Sequence, residues 1–193
     1  MYNRFETEER EKKRIFDMAL NMMEEVGYNG VTVRALCAKA QISTGKFYYY
    51  FRSKEEIFSY HFDNAIREFK EHVRTKDWDS MDIREQIIQY YTWYVEYTAS
   101  FGLDFVIHFY NNENQAFNLA HSSIAVVELT EVFFQKAVQN GYVIPDGKTI
   151  REIALDFCVI VKGCIFNWCV QRGSFSLPEY TKDLLTRCAR GLL

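Results

Sequence analysis

The stretch that decides the fold runs from Thr32 to Glu56 and reads TVRALCAKAQISTGKFYYYFRSKEE. Thr32 and Ser43 are favourable helix N-caps, and the residues after each of them place apolar side chains at helical spacing. The pattern predicts a short helix from Thr32 and a second helix of only two turns from Ser43 to about Tyr50. Two helices joined by so tight a turn have the geometry of a helix-turn-helix, whose second helix can lie in the major groove of DNA.

The outward face of the second predicted helix is polar and cationic. With Phe47 and Phe51 pointing into the protein, the residues that project outward are Thr44, Gly45, Tyr48 and Tyr49, with Lys46 at their edge. Hydroxyl groups and a lysine suit phosphate oxygens, and a glycine permits a close approach of the backbone. The free N–H groups behind Ser43 form a natural phosphate site, and Lys54 supplies a second one at the start of the next helix.

Charge is concentrated in the same stretch. The 193 residues contain 23 Lys plus Arg and 26 Asp plus Glu, a net charge of −3 that by itself argues against nucleic acid as a partner. Between Val31 and Lys54, however, there are basic residues and no acidic ones. The net charge of −3 is therefore the sum of +5 in this window and −8 in the other 169 residues. The basic residues of the window are Arg34, Lys39, Lys46, Arg52 and Lys54.

The stretch resembles the TetR family of bacterial one-component transcriptional regulators. It is similar to the family pattern of a Thr at the start of the second helix, then Ala-x-x-Ala-Gly-Val-Ser, then Gly-x-Phe-Tyr-x-Tyr-Phe-x-Ser-Lys-Glu. The resemblance covers about residues 8–70. Two positions depart from the pattern: Cys37 stands where Ala is usual, and Gln41 where the turn Gly is usual. We expect Cys37 to be a near-isosteric core change and Gln41 to adopt a left-handed conformation, at a cost of about 1 kcal/mol.

The resemblance also implies roles for single residues. Phosphate contacts are implied for Thr32, Ser43, Thr44, Tyr48, Tyr49 and Lys54. Base-edge contacts are implied for Arg34, Thr44, Gly45 and Lys46. Arg34 is the best candidate for a bidentate contact to guanine. The alternative is that these polar side chains only solvate a small helical bundle.

An all-α fold is expected for the whole chain, because 9 Gly and 2 Pro are too few for a fold that turns every ten residues or so. We expect a three-helix DNA-binding bundle at residues 1–52 and an effector-binding and dimerisation domain at 53–193. A long helix joins the two, and its start extends the DNA-binding domain to about residue 70. Residues 53–56 and 149–152 each have the form of a capping box. Outside the helix-turn-helix, the predicted helices span about 6–26, 53–74, 80–99, 103–110, 115–140 and 149–172, with a last short one after Ser176.

The second predicted domain is rich in aromatic residues. An apolar body with a few polar anchors is typical of a ligand pocket, so we expect a small, flat or greasy effector. The candidate effector-binding residues are Trp93, Tyr97, Phe105, His108, Phe109 and His121. An ordinary aromatic core explains the same density, and for any single residue it is the more common explanation.

The segment Phe157–Val161 is apolar all round its helix, which indicates burial on more than one side. A homodimer interface explains this, as the TetR resemblance implies for the last two long helices, with the helix of residues 115–140 as a partner. A central core helix of the monomer explains it as well. The surrounding apolar run is 14 residues long, shorter than a membrane span, so we expect no membrane association.

Five cysteines, an odd number, and the lack of an export signal predict a reduced, cytoplasmic protein. Cys158, Cys164 and Cys169 lie on different sides or turns of one helix, so they predict no metal site. No catalytic or cofactor-binding motif is recognised. We therefore expect a regulator that binds near-palindromic double-stranded operator DNA as a homodimer, represses, and is released by a small hydrophobic effector. The alternative is a small-molecule-binding helical protein whose bundle no longer recognises DNA.

Overall fold

The computed structural model describes residues 4–73, 77–110 and 125–193, and their side chains except those of 4–5, 58–59, 61–66, 73, 79, 125 and 146. The described ranges contain helices and no strand, so the all-α prediction is confirmed. Short 3-10 turns occur at Trp78–Ser80 and Pro145–Gly147. The α-helices are α1 (Arg4–Gly30), α2 (Val33–Ala40), α3 (Thr44–Tyr50), α4 (Lys54–Val73), α5 (Ile83–Ala99), α6 (Leu103–Phe109), α7 (Ala125–Gln139), α8 (Ile150–Val170) and α9 (Leu177–Leu192).

The chain divides into two compact units. One consists of Met1–His61 with Asp104–Asn114, and the other of Phe62–Leu103 with Gln115–Leu193. Helix α4 contributes its first eight residues to the first unit and the rest to the second. The predicted helix over residues 115–140 is described only as α7, since its first residues lie outside the described ranges.

Helix α1 ends its regular course where the sequence predicted. Gly27 has φ 70° and ψ 167°, a backbone conformation that side chains with a Cβ rarely adopt. The first unit is closed by buried apolar residues of several helices, including Phe16, Leu36, Phe47 and Ile57.

The caps of the helix-turn-helix follow the sequence. Thr32 Oγ1 accepts a hydrogen bond from the Ala35 N–H at 3.2 Å, and Ser43 Oγ accepts one from the Lys46 N–H at 3.1 Å. Gln41 is left-handed, at φ 53° and ψ 43°, and its N–H donates to Ala38 O at 3.2 Å. Because both caps and the turn are local features, residues 32–50 fold as predicted.

The predicted capping box at the start of α4 is only half formed. Ser53 Oγ accepts from the Glu56 N–H at 3.3 Å, as expected. The Glu56 carboxylate accepts from the N–H of Arg52 instead of that of Ser53. At the start of α8, by contrast, Thr149 and Glu152 form the complete reciprocal box.

The second unit is a bundle in which α5 packs on α9 and α7 packs on α8. Two buried tyrosines are paired inside the bundle: the Tyr90 hydroxyl donates to Val126 O at 3.3 Å, and Tyr91 shares a 2.9 Å hydrogen bond with Thr130. Burial raises the pKa of both tyrosines well above the usual value, so both stay neutral.

Helix α8 is longer than its 14-residue apolar run suggested. It spans 21 residues and is, among the described helices, the one that is long and apolar enough to cross a membrane by length and composition alone. In the structure Phe157, Cys158 and Ile165 are buried, and the helix packs against α7 and α9. Helix α8 is therefore buried in the way that is typical of a core helix of a bundle. Other apolar residues of α8 remain exposed, at Val159, Phe166 and Val170.

Candidate nucleic-acid interface

Helix α3 has one buried face and one exposed face, as its sequence predicted. Phe47 is completely buried, with its ring 5.9 Å from that of Phe51. Tyr48 and Tyr49 are 57% and 58% exposed. Large aromatic side chains on the surface of a two-turn helix are unusual in a helix that serves only packing.

The candidate DNA-contact residues of α2 and α3 are all on the surface. The exposed ones are Thr32, Arg34, Ser43, Thr44, Gly45, Lys46, Tyr48 and Tyr49, and Lys54 is half-buried. The Thr32 and Ser43 side-chain oxygens accept cap hydrogen bonds, and each hydroxyl keeps its O–H available to donate.

Gly45 is a surface glycine that the fold itself does not require. A Cβ at this position would meet only Ser43 Oγ, at 3.9 Å, which is an ordinary contact. A glycine inside a helix costs about 0.5–1 kcal/mol relative to alanine. Packing within the described unit therefore does not account for the absence of a Cβ at this position.

Lys54 is held against the end of α1. Its ammonium donates to Tyr28 O at 3.3 Å and lies 4.2 Å from the centre of the Tyr28 ring. The same ring also stacks on His108 of α6, at 4.3 Å with the planes 10° apart. The sequence analysis did not select Tyr28, because nothing local marks a residue that positions a lysine 26 positions further along the chain.

Acidic residues of α1 reach the basic window. Glu11 Oε2 lies 3.2 Å from Lys46 Nζ, and the Tyr49 hydroxyl donates to Glu8 Oε1 at 2.7 Å. The Arg14 guanidinium donates to Glu11 as well, and together with Lys46 it holds the pKa of the Glu11 carboxyl below its usual value. The sequence analysis missed these contacts. The only available signal was the i, i+3 spacing of the two glutamates on one face of α1.

The candidate effector-binding residues fall into separate groups. Trp93 and Tyr97, on α5 in the second unit, are half-buried and stacked at 5.3 Å. Phe105 and Phe109, on α6 in the first unit, are fully buried and stacked at 5.2 Å. His121 lies outside the described residues.

His108 is also placed by α6 in the first unit. Besides stacking on Tyr28, its Nε2 lies 3.6 Å from Asp104 Oδ1. A cavity of about 370 Å³ lies in the second unit between the start of α5 and the end of α7, and none of the candidate effector residues that the structure describes lines it. Within the described part of the chain, no three His, Cys, Asp or Glu residues are grouped closely enough to hold a metal ion.

Comparisons with known proteins agree with this geometry. Residues 15–60, which contain the helix-turn-helix, match the family model of bacterial regulatory proteins of the tetR family. No curated protein sequence matches the chain. The fold is similar to that of several solved structures, at identities low enough that the likeness concerns the fold alone.

Three of these solved structures cover nearly the whole chain. FadR from Thermus thermophilus, a TetR-family repressor in complex with lauroyl-CoA, has a TM-score of 0.70 at 16% identity and covers 91% of each chain. FadR from Bacillus subtilis, in complex with stearoyl-CoA, has a TM-score of 0.67 at 16% identity over 90% of this chain and 95% of that one. A TetR-family transcriptional regulator from Pectobacterium atrosepticum has a TM-score of 0.67 at 18% identity over 99% and 97%.

The fold and the exposed face of α2 and α3 define a helical protein with an N-terminal helix-turn-helix. Residues 15–60 match the family model of bacterial regulatory proteins of the tetR family, and the chain as a whole has a fold similar to that of solved TetR-family regulators.

Proposed function

We propose that this protein binds double-stranded operator DNA sequence-specifically through the outward face of α2 and α3. The observation that carries the proposal is the two-sided build of α3, which buries Phe47 and exposes Tyr48 and Tyr49 inside a window of charge +5. In this arrangement the helix starts and hydroxyl groups bind phosphates, while Arg34 and Lys46 reach base edges. We assign residues 1–52, with the start of α4, to the DNA-binding domain and 53–193 to the effector and dimerisation domain.

The direct test is selection of bound duplexes from a random pool, followed by footprinting of the selected sequence. We expect two related half-sites in near-palindromic order, because a two-fold dimer presents two copies of α3. Affinity should fall steeply with salt, since each phosphate contact releases counterions. Selection of no sequence, with binding that depends on salt alone, would contradict sequence-specific recognition.

The operator geometry requires a homodimer, and α8 offers a surface for one. Val159, Gly163, Phe166 and Val170 recur at i, i+4, i+7 and i+11 and are exposed, Phe166 by 64%. An exposed apolar stripe with a glycine at its centre suits a close helix–helix contact.

Sedimentation equilibrium tests this surface. Wild type should have twice the chain mass of 22.9 kDa, and Phe166→Asp should shift it to the monomer. Val143→Asp is the matched control, because Val143 is 81% exposed in a loop outside α8. An unchanged dimer in Phe166→Asp, or equal dissociation in both variants, would contradict the assignment.

We propose further that the protein is a repressor released by a small hydrophobic effector. A ligand with a long acyl chain is the first candidate for the hydrophobic part, because two proteins of similar fold were solved with lauroyl-CoA and stearoyl-CoA; the CoA part of such a ligand is large and charged, unlike the small effector that the sequence led us to expect. A ligand releases DNA only through its higher affinity for the state that does not bind DNA. Lauroyl-CoA should therefore displace the selected duplex, whereas free CoA should not. Displacement by neither, or by both equally, would contradict an acyl effector.

A second candidate function is ligand binding without DNA recognition. The contacts of Glu11 with Lys46 and of Glu8 with Tyr49 favour it, because they occupy two of the proposed DNA contacts in the free protein. The selection experiment separates the two functions, since this second candidate predicts no enriched sequence.

A further inference from the structure

We propose that Glu11 limits the affinity for DNA, by holding Lys46 in an ion pair that competes with DNA. The inference rests on the proposed DNA-binding function. It concerns a residue outside the helix-turn-helix, on the acidic face of α1.

Three contacts join acidic residues of α1 to the basic window. They are Glu11 with Lys46 at 3.2 Å, Glu8 with Tyr49 at 2.7 Å, and Glu25 with Lys39 at 2.8 Å. The first two involve side chains that are assigned to DNA, whereas Lys39 is not. The charge of +5 that the window carries in the sequence is thus partly opposed in the folded protein by neighbouring carboxylates.

Glu11 is built to remain in place when Lys46 leaves. Its carboxylate is also 3.2 Å from Arg14 Nη2, and Arg14 Nη1 donates to Ala40 O at 3.0 Å. The Glu11 side chain is 21% exposed, whereas that of Lys46 is 46% exposed. Lys46 can therefore exchange its partner without leaving a buried charge unpaired, and only one partly exposed ion pair is lost.

This exchange affects the two modes of DNA binding differently. On a duplex of unrelated sequence, affinity comes from phosphate contacts, and a phosphate has to replace Glu11 as the partner of Lys46. The gain is small, so Lys46 stays with Glu11. At an operator the base contacts of Arg34 and the close fit of α3 draw Lys46 to a base edge. Glu11 thus removes one phosphate contact from unspecific binding, and it costs the operator complex the ion pair that Lys46 gives up there.

The variant Glu11→Gln tests this directly, with the affinity for an unrelated duplex and for the selected duplex measured across salt concentrations. A released Lys46 should tighten binding to the unrelated duplex by about two- to five-fold, which corresponds to an exposed ion pair. The slope of log affinity against log salt should steepen by about 0.9, the value for one further phosphate. The selected duplex should gain at least as much, because Lys46 has to give up the whole ion pair there in the wild type.

Glu25→Gln is the matched control. It makes the same change of charge on the same helix and breaks an ion pair of the same kind, but to Lys39. An equal gain in both variants would mean a general charge effect and would overturn the inference. Weaker binding by Glu11→Gln would mean that Glu11 orients Lys46 for DNA, which also overturns it.

The variant Lys46→Gln keeps the proposal testable if Glu11→Gln folds poorly. Because Lys46 is held by Glu11, its loss should change unrelated-duplex affinity by less than about two-fold in the wild type. In the Glu11→Gln background the same substitution should remove the gained affinity and the gained salt slope. If the effects of the Glu11 and Lys46 substitutions were additive, this inference would be overturned but the proposed function would stand. If the wild type selected no sequence, both the proposed function and this inference would be overturned.

Discussion

Helices α3 and α6 are both seven residues long and rich in aromatic residues, yet α3 exposes two of its aromatic side chains to solvent and α6 buries its phenylalanines. Helix α3 buries Phe47 and leaves Tyr48 and Tyr49 on the surface. Helix α6 buries Phe105 and Phe109. The difference teaches that aromatic content alone does not indicate a binding site. What indicates one is an aromatic side chain that the fold does not use for packing.

The largest expected effect separates packing from function. Phe105→Ala should lower the free energy of unfolding by about 3–5 kcal/mol, because the ring is fully buried and stacked on Phe109. Tyr48→Ala should change it by less than about 0.5 kcal/mol, because the side chain lies on the surface. Urea denaturation without ligand measures both. Equal losses in the two variants would remove the distinction between α3 and α6.

His108 is a finer test of α6, since it is a candidate effector residue that the structure stacks on Tyr28 at 4.3 Å. If it serves packing, His108→Ala should cost about 0.5–1.5 kcal/mol of stability and leave the affinity for lauroyl-CoA unchanged. Denaturation and a lauroyl-CoA titration of the same preparation decide between the roles. Unchanged stability together with a lower affinity for lauroyl-CoA would instead support His108 as an effector-binding residue.

The smallest effect is expected at Gly45 and has opposite signs in two measurements. Gly45→Ala should stabilise the protein by about 0.5–1 kcal/mol, because alanine favours a helix and its Cβ meets no close neighbour. It should weaken binding to the selected duplex, because the methyl group then lies between α3 and DNA. Thermal denaturation measures the change in stability, and anisotropy titration measures the change in affinity for the duplex. Stabilisation without weaker binding would mean that Gly45 does not approach DNA closely.

Local rules predicted the helix-turn-helix well. Thr32 and Ser43 cap the helices as expected, and Gln41 adopts the left-handed conformation that its place in the turn requires. These features depend on residues within a few positions of each other, so a sequence pattern suffices to define them. The half-formed box at Ser53 shows the limit, because the Glu56 carboxylate had another N–H within reach, that of Arg52.

The candidate site depended more on tertiary contacts. The ion pair of Glu11 with Lys46 joins residues 35 positions apart, and the His108 stack joins α6 to the end of α1. No periodicity signals such contacts, since they arise only when the helices pack. The same reason explains why the aromatic residues of α5 and α6 could be recognised as a group but not divided into core and pocket.

The most direct test of the central claim, that the outward face of α2 and α3 reads DNA, is anisotropy titration of the selected duplex with Arg34→Ala and Tyr48→Ala. Loss of a bidentate base contact at Arg34 should weaken binding by about ten- to a hundred-fold and relax the preference at one base position. Tyr48→Ala should weaken binding to selected and unrelated duplexes alike. Wild-type affinity in both variants, with both folded, would contradict the account.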